Sequence, residues 1–202
     1  MDIPRFDRSR GRIRILTEGM TLDTDQERRL QELLDKQEIT EALLRYCRGM
    51  DRCDEELIRS AFHPDAYDDH GTYARRAHDL AAMIVKQKAA DTEFTVHRIS
   101  NHLIEVDGDT AISEAMVCSV QRIVGDKYTQ FSGSRFLDRF ERRDGRWKIA
   151  YRLVVHDWDG SIELGAWRFS AIRAEDFVWG SRGGLDPIMG SRERLYPPLA
   201  RS

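Results

Sequence analysis

The chain has 202 residues, 41% of them hydrophobic and 33% charged, with a net charge of −3 and a pI of about 6.1. That length supports one real core with appended tails, and the balance excludes a disordered or fibrous chain. The mild acidity excludes the basic face of a nucleic-acid binder, and no apolar run approaches the ~18 residues of a membrane span.

The first 24 residues are polar, and Arg5, Arg8, Arg10, Arg12 and Arg14 fall within ten positions of one another. This stretch reads as a solvated arm. The opening MDIPRFDRSR lacks the apolar segment of a secretory signal. Cys47, Cys53 and Cys118 are odd in number and form no CxxC, which favours neither a disulfide framework nor a zinc site. Together these features predict a cytoplasmic protein.

From Gln26 to Met50 the spacing predicts a helix. Leu30, Leu33, Leu34, Ile39, Ala42, Leu43, Tyr46, Cys47 and Met50 recur mostly every three or four residues. Thr24 or Asp25 can cap its start, and Gly49 weakens its end. Asp54 then caps a short helix, DEELIRSAF, which Pro64 ends. HPDAYDDHGTY reads as a turn and a short strand, with Asp68 and Asp69 as turn residues. AHDLAAMIVKQKAA (77–90) is a third amphipathic helix.

After Thr92 the sequence changes to long β-branched and aromatic runs. VHRISNHLIEV, TAISEAMVCSVQRIV, KYTQFSGSRFLDRFERR and RWKIAYRLVVHDW are separated by DGD (107–109), GD (125–126) and DG (144–145). These are hairpin turns, so the runs predict a four-stranded antiparallel meander. Residues 161–202 lose the pattern and read as an extension that wraps the domain or crosses to a neighbour. Helices followed by a curved sheet give an α+β fold, with the helices on the concave side of the sheet. Such a cone has an apolar interior suited to a small hydrophobic substrate.

Several residues in this frame can carry chemistry. Asp51, in RYCRGMDRCD, ends the first helix, where the dipole disfavours a carboxylate. It is either a turn residue bonded to backbone or an acid aimed into a pocket. His97 opens the first long strand, and strict alternation places His102 on the opposite face and Asn101 on the same face. On the last strand alternation groups Ala150, Arg152, Val154, His156 and Trp158 on one face, and Trp147, Ile149, Tyr151, Leu153 and Val155 on the other. A buried Arg152 requires a partner or an anionic ligand. His70 follows the short helix and can face the same cavity. No histidine pair has the spacing of a metal motif, so no metal is expected.

Three segments together, RYCRGMDRCDEELIRSAFHPDA, HRISNHLIEVDGDTA and RFLDRFERRDGRWKIAYRLVVHDW, resemble the SnoaL-like group of the nuclear transport factor 2-like superfamily. The resemblance covers about residues 26–160, within a domain at 25–160 flanked by the 1–24 arm and the 161–202 extension. It implies a cone-shaped α+β fold and a homodimer or homotrimer. It also implies kinship with cofactor-free lyases: dehydratases, a dehydrochlorinase and deformylating lyases of lignin-derived diaryl diols. In that group an Asp at the end of the first helix pairs with a His at the start of a strand, and Asp51 and His97 fall on those positions. Tyr46 matches a Tyr or Lys of the site, and Arg152 an Arg on the last strand. His70 stands where the dehydratases have a tyrosine, and His156 is a further departure.

The implied reaction is a cofactor-independent elimination of water, formaldehyde or halide from an aromatic or polycyclic compound. Asp51, His97, Tyr46 and Arg152 would carry catalysis, while His70, Asn101 and His156 would line the substrate site. Two alternatives stay open on the same sequence. One is an isomerase or cyclase using the same pair, and the other a non-catalytic small-molecule-binding module.

Overall fold

The structure is a computed structural model that describes residues 22–163, 178–182 and 186. The 1–24 arm lies outside these residues apart from its last three, and the 161–202 extension lies largely outside them.

The first helix, α1, runs over Thr24–Arg52. Asp23, rather than Thr24 or Asp25, caps it. Its side chain accepts from the Gln26 N–H while the Gln26 side chain accepts from the Asp23 N–H, a reciprocal pair that satisfies two otherwise open donors. The buried stripe is Asp35, Ile39, Ala42, Leu43, Tyr46, Cys47, Gly49 and Met50. Leu33 is off this stripe and exposed. Asp35 takes its turn because it accepts from Trp147 Nε1 and Arg142 Nη1, each at 2.9 Å.

Gly49 does not end the helix. Its missing Cβ lets the following helix come close, since a Cβ there would lie 2.7 Å from Ile58 Cγ1. The stop comes at Cys53, whose φ of 53° is left-handed. Asp54 caps α2 (Glu55–Ser60) by accepting from the Leu57 N–H.

Pro64 lies inside strand β1 (Phe62–Asp69), and does not terminate α2. The pairing of β1 shifts between Phe62 and Tyr67, so the proline sits where no ladder N–H is demanded. A 3-10 turn at Gly71–Tyr73 and the short β2 (Arg75–Arg76) lead into α3 (Ala77–Asp91). Four long strands follow: β3 (Thr92–Asp107), β4 (Thr110–Ile123), β5 (Tyr128–Arg143) and β6 (Arg146–Glu163).

These four strands form the expected meander, but the sheet has six strands in the order β2-β1-β6-β5-β4-β3. It is mixed rather than wholly antiparallel, because β1 joins β6 in parallel. The α+β arrangement holds, with a curved, unclosed sheet and the helices on its concave side. α1 packs against β3 and β6, α2 bridges α1 and α3, and α3 lies on β1. Ile39, Leu43, Tyr46, Phe62, Phe136, Phe140, Trp147 and Ile149 form the heart of the core.

Two bulges reassign the faces of the strands. The β3–β4 register shifts between Ser100 and His102, and Asn101 there has a φ of 42°. One inserted residue reverses the alternation. His97 pairs with Ser119 and His102 with Ala115, so both histidines lie on the same, concave face. The β5–β6 register also shifts, between Arg139 and Phe140. Trp147 and Ile149 therefore share the concave face with Arg152, Val154 and His156. A further shift beside Gly133 turns Trp158 to the other face, where its indole covers the glycine. No helix among the described residues is long and apolar enough to cross a membrane.

Candidate active site

The last turn of α1 brings Asp51 against His97, which lies five residues inside β3 rather than opening it. Asp51 Oδ1 lies 2.6 Å from His97 Nδ1, and Asp51 Oδ2 accepts from the His97 backbone N–H at 3.0 Å. Both carboxylate oxygens thus grip one residue. This answers the unfavourable dipole at the helix end with two local donors. A carboxylate only accepts, so Nδ1 carries the ring proton and Nε2 presents its lone pair. The two side chains are 13% and 11% exposed, shielded but not fully buried.

Arg152 is not an unpaired cation awaiting a ligand. Its Nε and Nη2 donate to the two oxygens of Asp138, each at 2.7 Å, and both side chains are fully buried. The guanidinium sits 4.2 Å from the Tyr46 ring centre and 4.0 Å from that of Phe136. Only Nη1 lacks a partner among the described residues. Tyr46 is itself buried, edge-on to Phe62 and Phe136 at 5.6 Å. Burial, with the nearby Asp68 charge, raises its phenol well above the ordinary range. The phenol keeps its proton and can donate it in a hydrogen bond to a substrate, while its oxygen faces the Arg152 guanidinium. Burial likewise pushes the Cys47 thiol up to about 12, so no thiolate nucleophile forms one turn before Asp51.

Asp68 is the acid that the sequence reading missed. It is a buried strand residue, 2% exposed, and not a turn residue. It pairs across the parallel ladder with Arg152, which puts it on the concave face. Burial raises its carboxyl to about 7, against the pull of Arg152 and with the help of Asp138 and Asp69. Asp69 does serve the turn, accepting from the Gly71 N–H.

His70 Nδ1 lies 3.5 Å from Asp68 Oδ1, longer than an ordinary hydrogen bond, and neither atom has a hydrogen-bond partner among the described residues. Burial first, then Arg152, lowers His70 to about 4, and His97 is near enough to push the same way. His156 is on the concave face but exposed, with Nδ1 3.4 Å from Ser134 Oγ. Asn101 is removed from the site. Its bulge position turns it outward, exposed, toward Met116.

Asp51, His97, Tyr46, Arg152 and His70 therefore converge on the concave face beneath the helices, joined by Asp68 and Asp138. Among the described residues no three His, Cys, Asp or Glu side chains converge as a metal-binding group.

The sequence profile of the SnoaL-like domain matches residues 31–153. The chain is 27% identical over 130 residues to the uncharacterized protein Rv2910c of Mycobacterium tuberculosis, which is 60% of this chain and 85% of the relative. Among solved structures, the hexachlorocyclohexane dehydrochlorinase LinA-type3 from Novosphingobium barchaimii superposes with a TM-score of 0.61 at 19% identity, covering 66% of this chain and 93% of that one. A nuclear transport factor 2-like superfamily protein from Salmonella enterica gives a TM-score of 0.56 at 20% identity, over 62% and 92%. At these identities the likeness to the solved structures is one of fold.

Proposed function

The chain belongs to the SnoaL-like domain family of the nuclear transport factor 2-like superfamily, and on that premise we propose that it is a cofactor-independent lyase. It eliminates a small group from a hydrophobic aromatic or polycyclic substrate, with lignin-derived diaryl diols and sterols among the candidates. The observation that carries this reading is the Asp51–His97 pair, with Nδ1 held at 2.6 Å by a carboxylate and Nε2 left as a base.

In this reading His97 Nε2 takes a proton from a substrate carbon, and Asp51 stabilises the imidazolium that results. The neutral Tyr46 phenol donates to substrate oxygen if the substrate reaches it. Arg152 acts mainly through its field, because two of its nitrogens are committed to Asp138. The LinA-type relative is by its name an eliminating enzyme, which is consistent with this chemistry on the shared fold. The reading carries with it assembly as a homodimer or homotrimer.

The test is a turnover screen by mass spectrometry on chelator-treated protein. Its panel holds hydroxylated sterols, lignin-derived diaryl diols, polyketide alcohols and halogenated rings, with wild type, His97→Ala and Asp51→Asn side by side. Product from wild type, and a loss of at least ~10²-fold in both variants, is expected. Undiminished turnover in either variant refutes the pair. Loss on chelation with recovery on adding a metal refutes the cofactor-independent reading.

A further inference from the structure

Buried polar atoms are normally satisfied, and one that is not calls for an explanation: strain, a catalytic role, or a water, ion or ligand. Three such atoms lie together on the concave face: Asp68 Oδ1, His70 Nδ1 and Arg152 Nη1. Asp68 and His70 are two residues apart on and just beyond β1, with the two unpartnered atoms 3.5 Å from each other. Asp68 pairs with Arg152 across the ladder, and His97 is close enough for its charge to act on His70. Arg152 pulls on the Asp68 carboxyl across the ladder, yet two of its nitrogens are bonded to Asp138 and the third, Nη1, makes no hydrogen bond to Asp68.

We propose that Asp68 and His70 form a second acid–base pair facing His97, that this pair is the proton-donating half of the site, and that the group it expels is a hydroxyl leaving as water. The proposal rests on the lyase reading and narrows it. A chloride departs as a stable anion and needs no proton, whereas hydroxide is a poor leaving group and requires one. A buried carboxyl that keeps its proton beside a neutral imidazole supplies that proton.

His97 Nε2 takes the proton from carbon, the C–O bond breaks and the C=C bond forms. The hydroxyl leaves as water with the proton of His70 Nε2, while the Asp68 carboxyl proton passes to His70 Nδ1. His97 ends protonated and Asp68 ionised, and exchange with solvent restores both. The 3.5 Å separation closes to hydrogen-bond length in the bound state, as contacts between catalytic groups commonly do. Asp68 acts through His70 and is a positioning residue, while His70 touches the substrate.

The groups that set the Asp68 proton are Arg152 on β6, Asp138 on β5, Asp69 on its own strand, the buried Tyr46 on α1, and His70. Burial dominates, holding Asp68 near 7 and His70 near 4. At neutral pH the carboxyl therefore still carries its proton in a large fraction of molecules.

The experiment has two readouts. Carbon-13 NMR of aspartate-labelled protein follows the Asp68 carboxyl from pH 4 to 9, with Asp68→Asn assigning the signal. Release of the proton near pH 7 is expected, and release near pH 4 overturns the proposal whether or not any substrate has been found. In the turnover assay an alcohol is compared with its chloro analogue on the same carbon skeleton. Asp68→Asn is expected to lower kcat on the alcohol by at least ~10²-fold, to fall at least ten times less on the chloride, and to lose the decline in rate above pH 7. Asp68→Glu recovers part of the alcohol rate. Equal losses on both substrates, or an unaltered pH profile in Asp68→Asn, overturn the proposal. Failure of wild type to turn over any compound counts against the lyase reading and leaves the titration to judge Asp68.

Discussion

Replacing Asp68 by Asn removes one of two buried groups whose protons pull stability in opposite directions. The native fold holds the Asp68 carboxyl near 7, against an ordinary 3.8. Between these values the native state keeps a proton that the unfolded chain has released. The Asp68 contribution is thus fully present below pH 3.8 and lost as pH rises through about 7. His70 runs the other way, at about 4 against an ordinary 6.5. Its contribution is present above 6.5 and lost as pH falls through about 4. Over the shared window one slope is negative and the other positive, each by one proton, and wild type is nearly flat with respect to this pair.

Asp68→Asn leaves His70 alone, so stability rises by ~3 kcal/mol from pH 4 to 6.5, an upper figure because the imidazole keeps some water. His70→Gln leaves Asp68 alone, and stability relative to wild type falls by ~3 kcal/mol from pH 4 to 6.5. The assay is urea unfolding at half-unit pH steps, at fixed protein concentration, read as the difference between each variant and wild type. Differences cancel the other titrating groups, including His63, which burial also lowers to about 4. Flat difference profiles, or slopes of the same sign in both variants, refute the reasoning.

Two further predictions concern the frame around the site. Asp138→Asn strips the fully buried Arg152 of its counter-ion, and stability falls by about 3–5 kcal/mol. Calorimetry should find Tm lowered on the order of 10 °C, and an unchanged Tm would show that Asp138 does not neutralise the guanidinium. Gly49→Ala places a Cβ 2.7 Å from Ile58 Cγ1 and 2.8 Å from the Ile58 backbone N. Moving α2 to relieve this costs ~1–3 kcal/mol, read as a lower urea midpoint, and equal or greater stability would mean the contact relaxes freely.

Much of the frame was legible because it depends on local chemistry. The hairpins at DGD, GD and DG follow from turn residues, and the α1 stripe from Ile39 to Met50 follows from the helical period. Asp54 was readable as a cap because a carboxylate before Glu-Glu-Leu has a local job. What was not legible was the parallel pairing of β1 with β6. It joins segments some eighty residues apart, and β1 carries a proline and no clear alternation.

The site shows the same division more sharply. That Asp51 meets His97 follows from a family pattern that marks both positions, and the two side chains do pair. Arg152 was correctly read as buried, but its partner was overlooked although the sequence held the signal. Phe136, Asp138 and Phe140 alternate on one strand face, and an acid in an apolar row must answer a buried cation. Asn101 and the pairing of faces on β6 were misread for a different reason. Alternation assumes an unbroken strand, and one inserted residue at Asn101 or beside Ile149 reverses everything beyond it. Asp68 combines both difficulties. In DDHG it has the composition of a turn, and only the Arg152 pairing, fixed by β1 joining β6, turns it into the interior. A single long-range ladder therefore decides whether this acid is a loop ornament or a proton store, which is why the pH profile of Asp68→Asn tests the topology and the chemistry together.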